Sequence, residues 1–208
     1  MAPFAWLPLV YAHALFFTFA LLLPSSSGAE NYIAGQIGVS LPGSLSNVNR
    51  VSPLDRAPDS DLMTSFLYGG KLGHYFDQRQ WFGVETELFR SNPNISQNGA
   101  EPGASLSMTV WGATLLVRYP GERLQPYIGV GPAIFFGRMK SVSPRSNLDE
   151  AQSTSMGLNT QLGLRLLLSD GVALFMEWKY NHSRLSFDAL PNATYNAHNL
   201  VFGIGYHF

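Results

Sequence analysis

The chain has no cysteine among its 208 residues, so it has neither a disulfide framework nor a thiolate site for metal or catalysis. It also lacks an excess of one charge, with 13 Lys and Arg against 14 Asp and Glu. A phosphate backbone demands a basic stripe, and nucleic acid is therefore set aside as a partner. Histidine is sparse. His74, His198 and His207 stand singly without metal-ligand spacing, and no glycine-rich phosphate loop is present, so neither a metal nor a cofactor is expected. Sustained helical periodicity is missing after Glu30. The length supports one domain and gives no reason for two.

The first apolar feature is Phe4 to Leu23, interrupted only by Pro8, His13 and Thr18 and followed by Pro24-Ser25-Ser26-Ser27-Gly28-Ala29. Small residues at Ser27 and Ala29 suit cleavage before Glu30, so residues 1–29 read as a signal peptide and 30–208 as the mature domain. No Lys or Arg precedes the apolar stretch, which leaves a single membrane-spanning helix as the alternative.

The second feature is the ending. Leu200, Phe202, Ile204, Tyr206 and Phe208 alternate with Gly203, Gly205 and His207, so one strand face is apolar to the last residue. Seven further segments alternate in the same way. Ile33, Ile37, Val39 and Leu41 face away from Gln36, Gly38 and Ser40; Phe66, Tyr68, Leu72 and Phe76 from Lys71 and Gly73; Phe82, Val84 and Leu88 from Glu85 and Glu87. Strand four runs near Leu106 to Tyr119, strand five near Pro126 to Lys140, strand six over Met156 to Leu168, and strand seven from Val172. Pro132 removes a ladder donor from strand five and predicts a bulge or weakened pairing.

Long polar connections are expected after strands one, three, five and seven (the last over Asp188 to Ala197), and short turns after two, four and six. That is an all-β, eight-stranded antiparallel up-and-down transmembrane barrel with its long loops at one end. Lipid requires the outward face to be apolar and the backbone ladder to close on itself. A soluble barrel would put its apolar face inside, whereas here the charges lie opposite the large apolar residues. Trp111, Tyr119, Trp178, Tyr206 and Phe208 are candidates for the aromatic girdles.

The inward set then holds Lys71, Arg118, Arg165 and Lys179 with Glu85, Glu87 and Glu177. An eight-stranded barrel is just wide enough for side chains to fill it, so these seven are expected to form a network of ion pairs with Gln36, Asn159 and Gln161. Arg165 is the residue whose loss is expected to strand a carboxylate. Catalytic readings fare worse: Glu85 and Glu87 share one strand face among cations with no cleft, and His182 and Ser183 are adjacent on a strand and point apart.

Trp81-Phe82-Gly83-Val84-Glu85, Gln125-Pro126-Tyr127-Ile128-Gly129-Val130-Gly131, Glu177-Trp178-Lys179-Tyr180 and the closing Tyr206-His207-Phe208 together resemble the small bacterial outer-membrane β-barrel family, which includes the membrane domain of outer membrane protein A and the opacity-type surface proteins. The resemblance implies an outer-membrane location, contact with outer-membrane lipid and lipopolysaccharide, and recognition of the terminal strand (Phe202, Ile204, Tyr206 and Phe208) by the insertion machinery. It implies a non-enzymatic protein that contributes to envelope integrity and displays four polar extracellular loops, with no loop partner specified. The alternatives are a narrow porin-like passage for small solutes and a lipid A-modifying enzyme of the deacylase type. Deacylases of that kind carry His and Ser two positions apart on the lipid face, where this chain has His182 and Arg184.

Overall fold

The computed structural model describes residues 30–43, 63–93, 105–140, 150–187 and 190–208. The expected signal peptide lies outside the described residues. Eight strands follow in order: β1 Glu30–Pro42, β2 Ser65–Phe76, β3 Arg79–Ser91, β4 Ser105–Arg118, β5 Leu124–Lys140, β6 Glu150–Ser169, β7 Val172–Phe187 and β8 Leu190–His207. Each pairs antiparallel with its neighbours in sequence, and β8 returns to β1, so the sheet is a closed barrel. The closing seam extends to the final residue. The Asn31 amide donates to the Phe208 carbonyl at 3.1 Å, and the Phe208 amide to the Asn31 carbonyl at 2.9 Å. Closure leaves no sheet edge facing lipid, which is the condition for a β-structure to span a membrane.

Alternation sorts the side chains as expected. Ile37, Ile128 and Leu162 are 57%, 58% and 55% exposed on the outside, while Lys179, Asn159 and Glu177 are at most 1% exposed inside. In water, a continuous apolar wall of this kind would be a large aggregating patch; against acyl chains it is solvated. Polar groups on the wall satisfy themselves locally: the Trp111 indole N–H donates to Thr86 Oγ1 at 3.0 Å, and Thr86 donates to the Gly112 carbonyl at 3.0 Å. Tyr119, Tyr206 and Phe208 lie at the short-turn end, and Trp111 and Trp178 farther toward the loop end.

Two boundaries differ from the sequence reading. β6 begins at Glu150, six positions before Met156, and β8 begins at Leu190, so most of the expected fourth connection is strand and only residues 188–189 separate β7 from β8. The long connections are therefore those after β1, β3 and β5. The physical reason is that apolar alternation marks a strand only where one face meets lipid; beyond the hydrocarbon the ladder continues with water on the outer face, and the signature vanishes.

Pro132 weakens pairing without creating a bulge. The β4–β5 ladder has matched pairs Gly112↔Ala133 and Leu115↔Val130 in one register, with the two intervening pairs missing, while the β5–β6 ladder runs through Pro132↔Leu158 unbroken. Two inward glycines have a steric cause. A Cβ on Gly73 would lie 2.1 Å from the Tyr32 ring, and one on Gly163 2.2 Å from the Tyr127 ring. Each tyrosine lies flat over the glycine paired with it on the next strand, which lets two large rings fit inside a barrel this narrow.

Candidate functional site: the barrel interior

The interior is built in three levels. Its middle holds the expected charges. Lys71, on β2, bridges Glu85 at 3.1 Å and Glu177 at 2.6 Å, and Lys179, on β7, contacts Glu177 at 3.1 Å and is hydrogen-bonded to Glu87. Lys71–Glu177 and Lys179–Glu87 join β7 to β2 and β3 and so cross the lumen, whereas Lys71–Glu85 links adjacent strands and Lys179–Glu177 lies within β7. Amides and two phenols also donate to these carboxylates. Gln161 donates to Glu85 at 2.9 Å, Asn159 to Glu87 at 2.7 Å, Gln36 to Glu87 at 3.2 Å, the Tyr32 hydroxyl to Glu85 and the Tyr127 hydroxyl to Glu177. From Asn159 the chain of amides continues through Asn181 at 2.9 Å to Asn199 at 2.6 Å.

Arg118 and Arg165 pair with none of those carboxylates. They form a second cluster at the short-turn end around Glu30, the first residue of β1. Arg118 is ion-paired with Glu30, Arg165 Nη1 lies 3.5 Å from it, and His207 Nδ1 is 2.6 Å away. Aromatic faces hold the two guanidinium groups: Arg118 sits 3.6 Å from the centre of the Tyr75 ring and Arg165 4.4 Å from that of Tyr32. Arg118 also donates to the Gln80 carbonyl at 2.8 Å and to Gln125 at 3.0 Å. The sequence reading missed Glu30 and His207 as members, although Glu30 shares the parity of Gln36 and His207 that of Gly205, which placed both inward. The expectation for Arg165 is corrected by this geometry. Glu30 keeps Arg118 and His207 when Arg165 is removed, so no carboxylate is stranded.

The third level, toward the long connections, is mainly apolar, with Ser40, Ser91, Ser153 and Ser183 buried among the large side chains. Leu67, Phe89, Leu106, Met108, Val110, Phe135 and Leu185 are buried inside, with Tyr195 against Phe135 at 6.2 Å between ring centres. The expectation of an interior filled by charges and amides is thus corrected at this end, where among the described residues large apolar side chains fill most of the space instead. Interior charges balance across the two lower levels: Glu30, Glu85, Glu87 and Glu177 stand against Lys71, Arg118, Arg165 and Lys179.

The catalytic alternatives acquire no geometry. Glu85 and Glu87 are both engaged by lysines. His182 is on the outer face with Nδ1 2.6 Å from Asn196 Oδ1, whereas Ser183 is inside, 2.7 Å from Ser155 Oγ. Arg184 is exposed on the lipid side of β7, at the position where a serine would be needed. Among the described residues no group of three or more His, Asp or Glu is arranged to hold a metal ion.

Residues 12–208 match the family described as an outer membrane protein beta-barrel domain. Among solved structures, Neisserial surface protein A is similar at 16% identity and a TM-score of 0.60, covering 87% of this chain and 99% of that one. OprG from Pseudomonas aeruginosa is similar at 15% identity and a TM-score of 0.59, covering 87% and 96%. A major outer membrane protein from Thermus thermophilus is similar at 12% and 0.53, covering 86% and 99%. At these identities the likeness is one of fold. No curated protein sequence matches the chain.

Proposed function

The chain belongs to the outer membrane protein β-barrel domain family and is a bacterial outer-membrane protein, and from that premise we propose that it acts without catalysis as a sealed wall element that stabilises the envelope and displays its long connections outward. One observation carries this reading: the lumen is crossed by the Lys71–Glu85–Glu177–Lys179–Glu87 network and topped by the Phe89, Met108 and Phe135 layer. A solute would have to break buried, hydrogen-bonded ion pairs, each costing about 3–5 kcal/mol to leave half-satisfied, and then displace close-packed apolar side chains. The porin-like alternative has no such support. The connections after β1, β3, β5 and β7 all leave the barrel at one end, the first three long and the last short, and in this reading that end faces outward from the cell.

Insertion depends, in this proposal, on the terminal strand: Phe202, Ile204, Tyr206 and Phe208 form one outward row for the insertion machinery to read, with Phe208 anchored to Asn31. Planar-bilayer recording tests the sealed state. The purified barrel is expected to show no stable conductance, and a reproducible open level present in the parent chain would refute it.

A further inference from the structure

The outer wall is not uniformly filled. Over β8, β1 and β2 it carries a trough of about 670 Å³ lined by Gly35, Ile37, Tyr68, Phe202 and Ile204, and a second of about 310 Å³, sharing Gly35 and Ile204, continues it toward Tyr206. Gly35 is common to both and forms the floor, in register with Ile204 on one side and with Gly70 on the other. Packing within the barrel does not require Gly35. A Cβ there meets nothing within 4 Å, whereas a Cβ on Gly38, Gly69 or Gly131 would lie 1.9 to 2.3 Å from a backbone oxygen. What the absent side chain at Gly35 creates is the depression itself. From Ile33 to Ile37 it runs roughly 13 Å along β1, the scale of a fatty acyl chain.

One strand from the trough's upper edge stands a cation. Arg90, on β3, pairs directly with Tyr68 and is exposed on the same outward face. Its guanidinium is held in place by neutral acceptors, Nε by Asn92 Oδ1 at 3.3 Å and Nη2 by Ser107 Oγ at 2.6 Å, with Ser107 donating in turn to Asn92 at 2.6 Å. Among the described residues no carboxylate is paired with it. A full positive charge fixed toward the loop end of a lipid-facing wall, one strand beside the edge of an apolar trough, is complementary to an amphiphile whose anionic head lies in the outer leaflet.

We propose that the β8–β1–β2 trough and Arg90 form one binding site for an acylated, phosphate-bearing glycolipid of the outer leaflet, with an acyl chain lying over Gly35 and a phosphate on the Arg90 guanidinium. The site is on the outside of the barrel and does not depend on whether the lumen is sealed.

The test uses the purified barrel, native mass spectrometry, and two probes: bisphosphorylated lipid A and its enzymatically dephosphorylated form. Gly35→Leu fills the trough at a position where a Cβ has free space, and is expected to lower retention of both probes about tenfold. Arg90→Gln is expected to lower retention of the phosphorylated form about tenfold and leave the dephosphorylated form unchanged. Asn92→Ala, which loosens the guanidinium without removing it, should give a smaller loss of the same selectivity. Urea midpoints equal to the parent's confirm that the variants are folded. Parent-like retention by Gly35→Leu, an Arg90→Gln effect that ignores the phosphate, or conversion of a dimer to a monomer by Gly35→Leu would each overturn the assignment.

Discussion

Replacing Lys179 by Met would expose how much the central network matters. The side chain is fully buried, and it is the lysine paired with Glu87 as well as a partner of Glu177. Met matches its length and removes the charge. Glu177 would retain Lys71 at 2.6 Å, but Glu87 would be left hydrogen-bonded to the amides of Gln36 and Asn159, a buried carboxylate with no cation in contact. Breaking one side of such a pair costs about 3–5 kcal/mol. With a urea slope of about 2 kcal/mol per molar, the midpoint should fall by roughly 1.5–2.5 M, measured by tryptophan fluorescence of the barrel in lipid vesicles.

The double variant Lys179→Met with Glu87→Gln separates the stranded charge from simple loss of packing. Removing both charges should recover more than half of the deficit, because a buried pair contributes little net stability even though breaking it is costly. Arg165→Met is the contrasting case. Glu30 retains Arg118 and His207, so what is lost is a 3.5 Å contact and cation–ring contacts, chiefly with Tyr32 and more distantly with Tyr75 and Tyr127, together about 1–2 kcal/mol. Equal midpoint losses for Lys179→Met and Arg165→Met, or a double variant no more stable than Lys179→Met, would refute the account of two separate clusters.

Gly73→Ala places a Cβ 2.1 Å from the Tyr32 ring, and overpacking of about 1–3 kcal/mol is expected in the same unfolding assay, with Tyr32→Ala relieving the clash in the double variant. Deleting Phe208 removes its two backbone bonds to Asn31 and its stacking on Tyr206 at 6.2 Å. Fractionation of cells expressing this truncation should show loss of outer-membrane barrel, and undiminished assembly would count against a role for the last residue in insertion.

Period-two alternation is a local property, written residue by residue wherever a strand separates two solvents. For that reason Leu158, Leu162 and Leu166 on one face of β6, with Asn159, Gln161 and Arg165 on the other, were legible without a structure. The apolar layer was in principle legible too, since Leu106, Met108 and Val110 share the parity of Thr114 and Arg118. Reading the inner face as uniformly polar concealed it. The upper parts of β6 and β8 were not legible, because a strand wetted on its outer face carries no alternation to read.

The amino-acid sequence by itself determined the strand count, the direction each side chain faces and the need for a bilayer around the barrel, because those follow from local hydropathy and the geometry of an extended chain. Only the tertiary structure decided which charges meet. Lys179 reaches Glu87 and Arg118 reaches Glu30 across the lumen, and the stagger of eight strands on closure sets these pairings, gathering the expected charges around two centres and setting Arg90 one strand from the edge of the trough at Gly35.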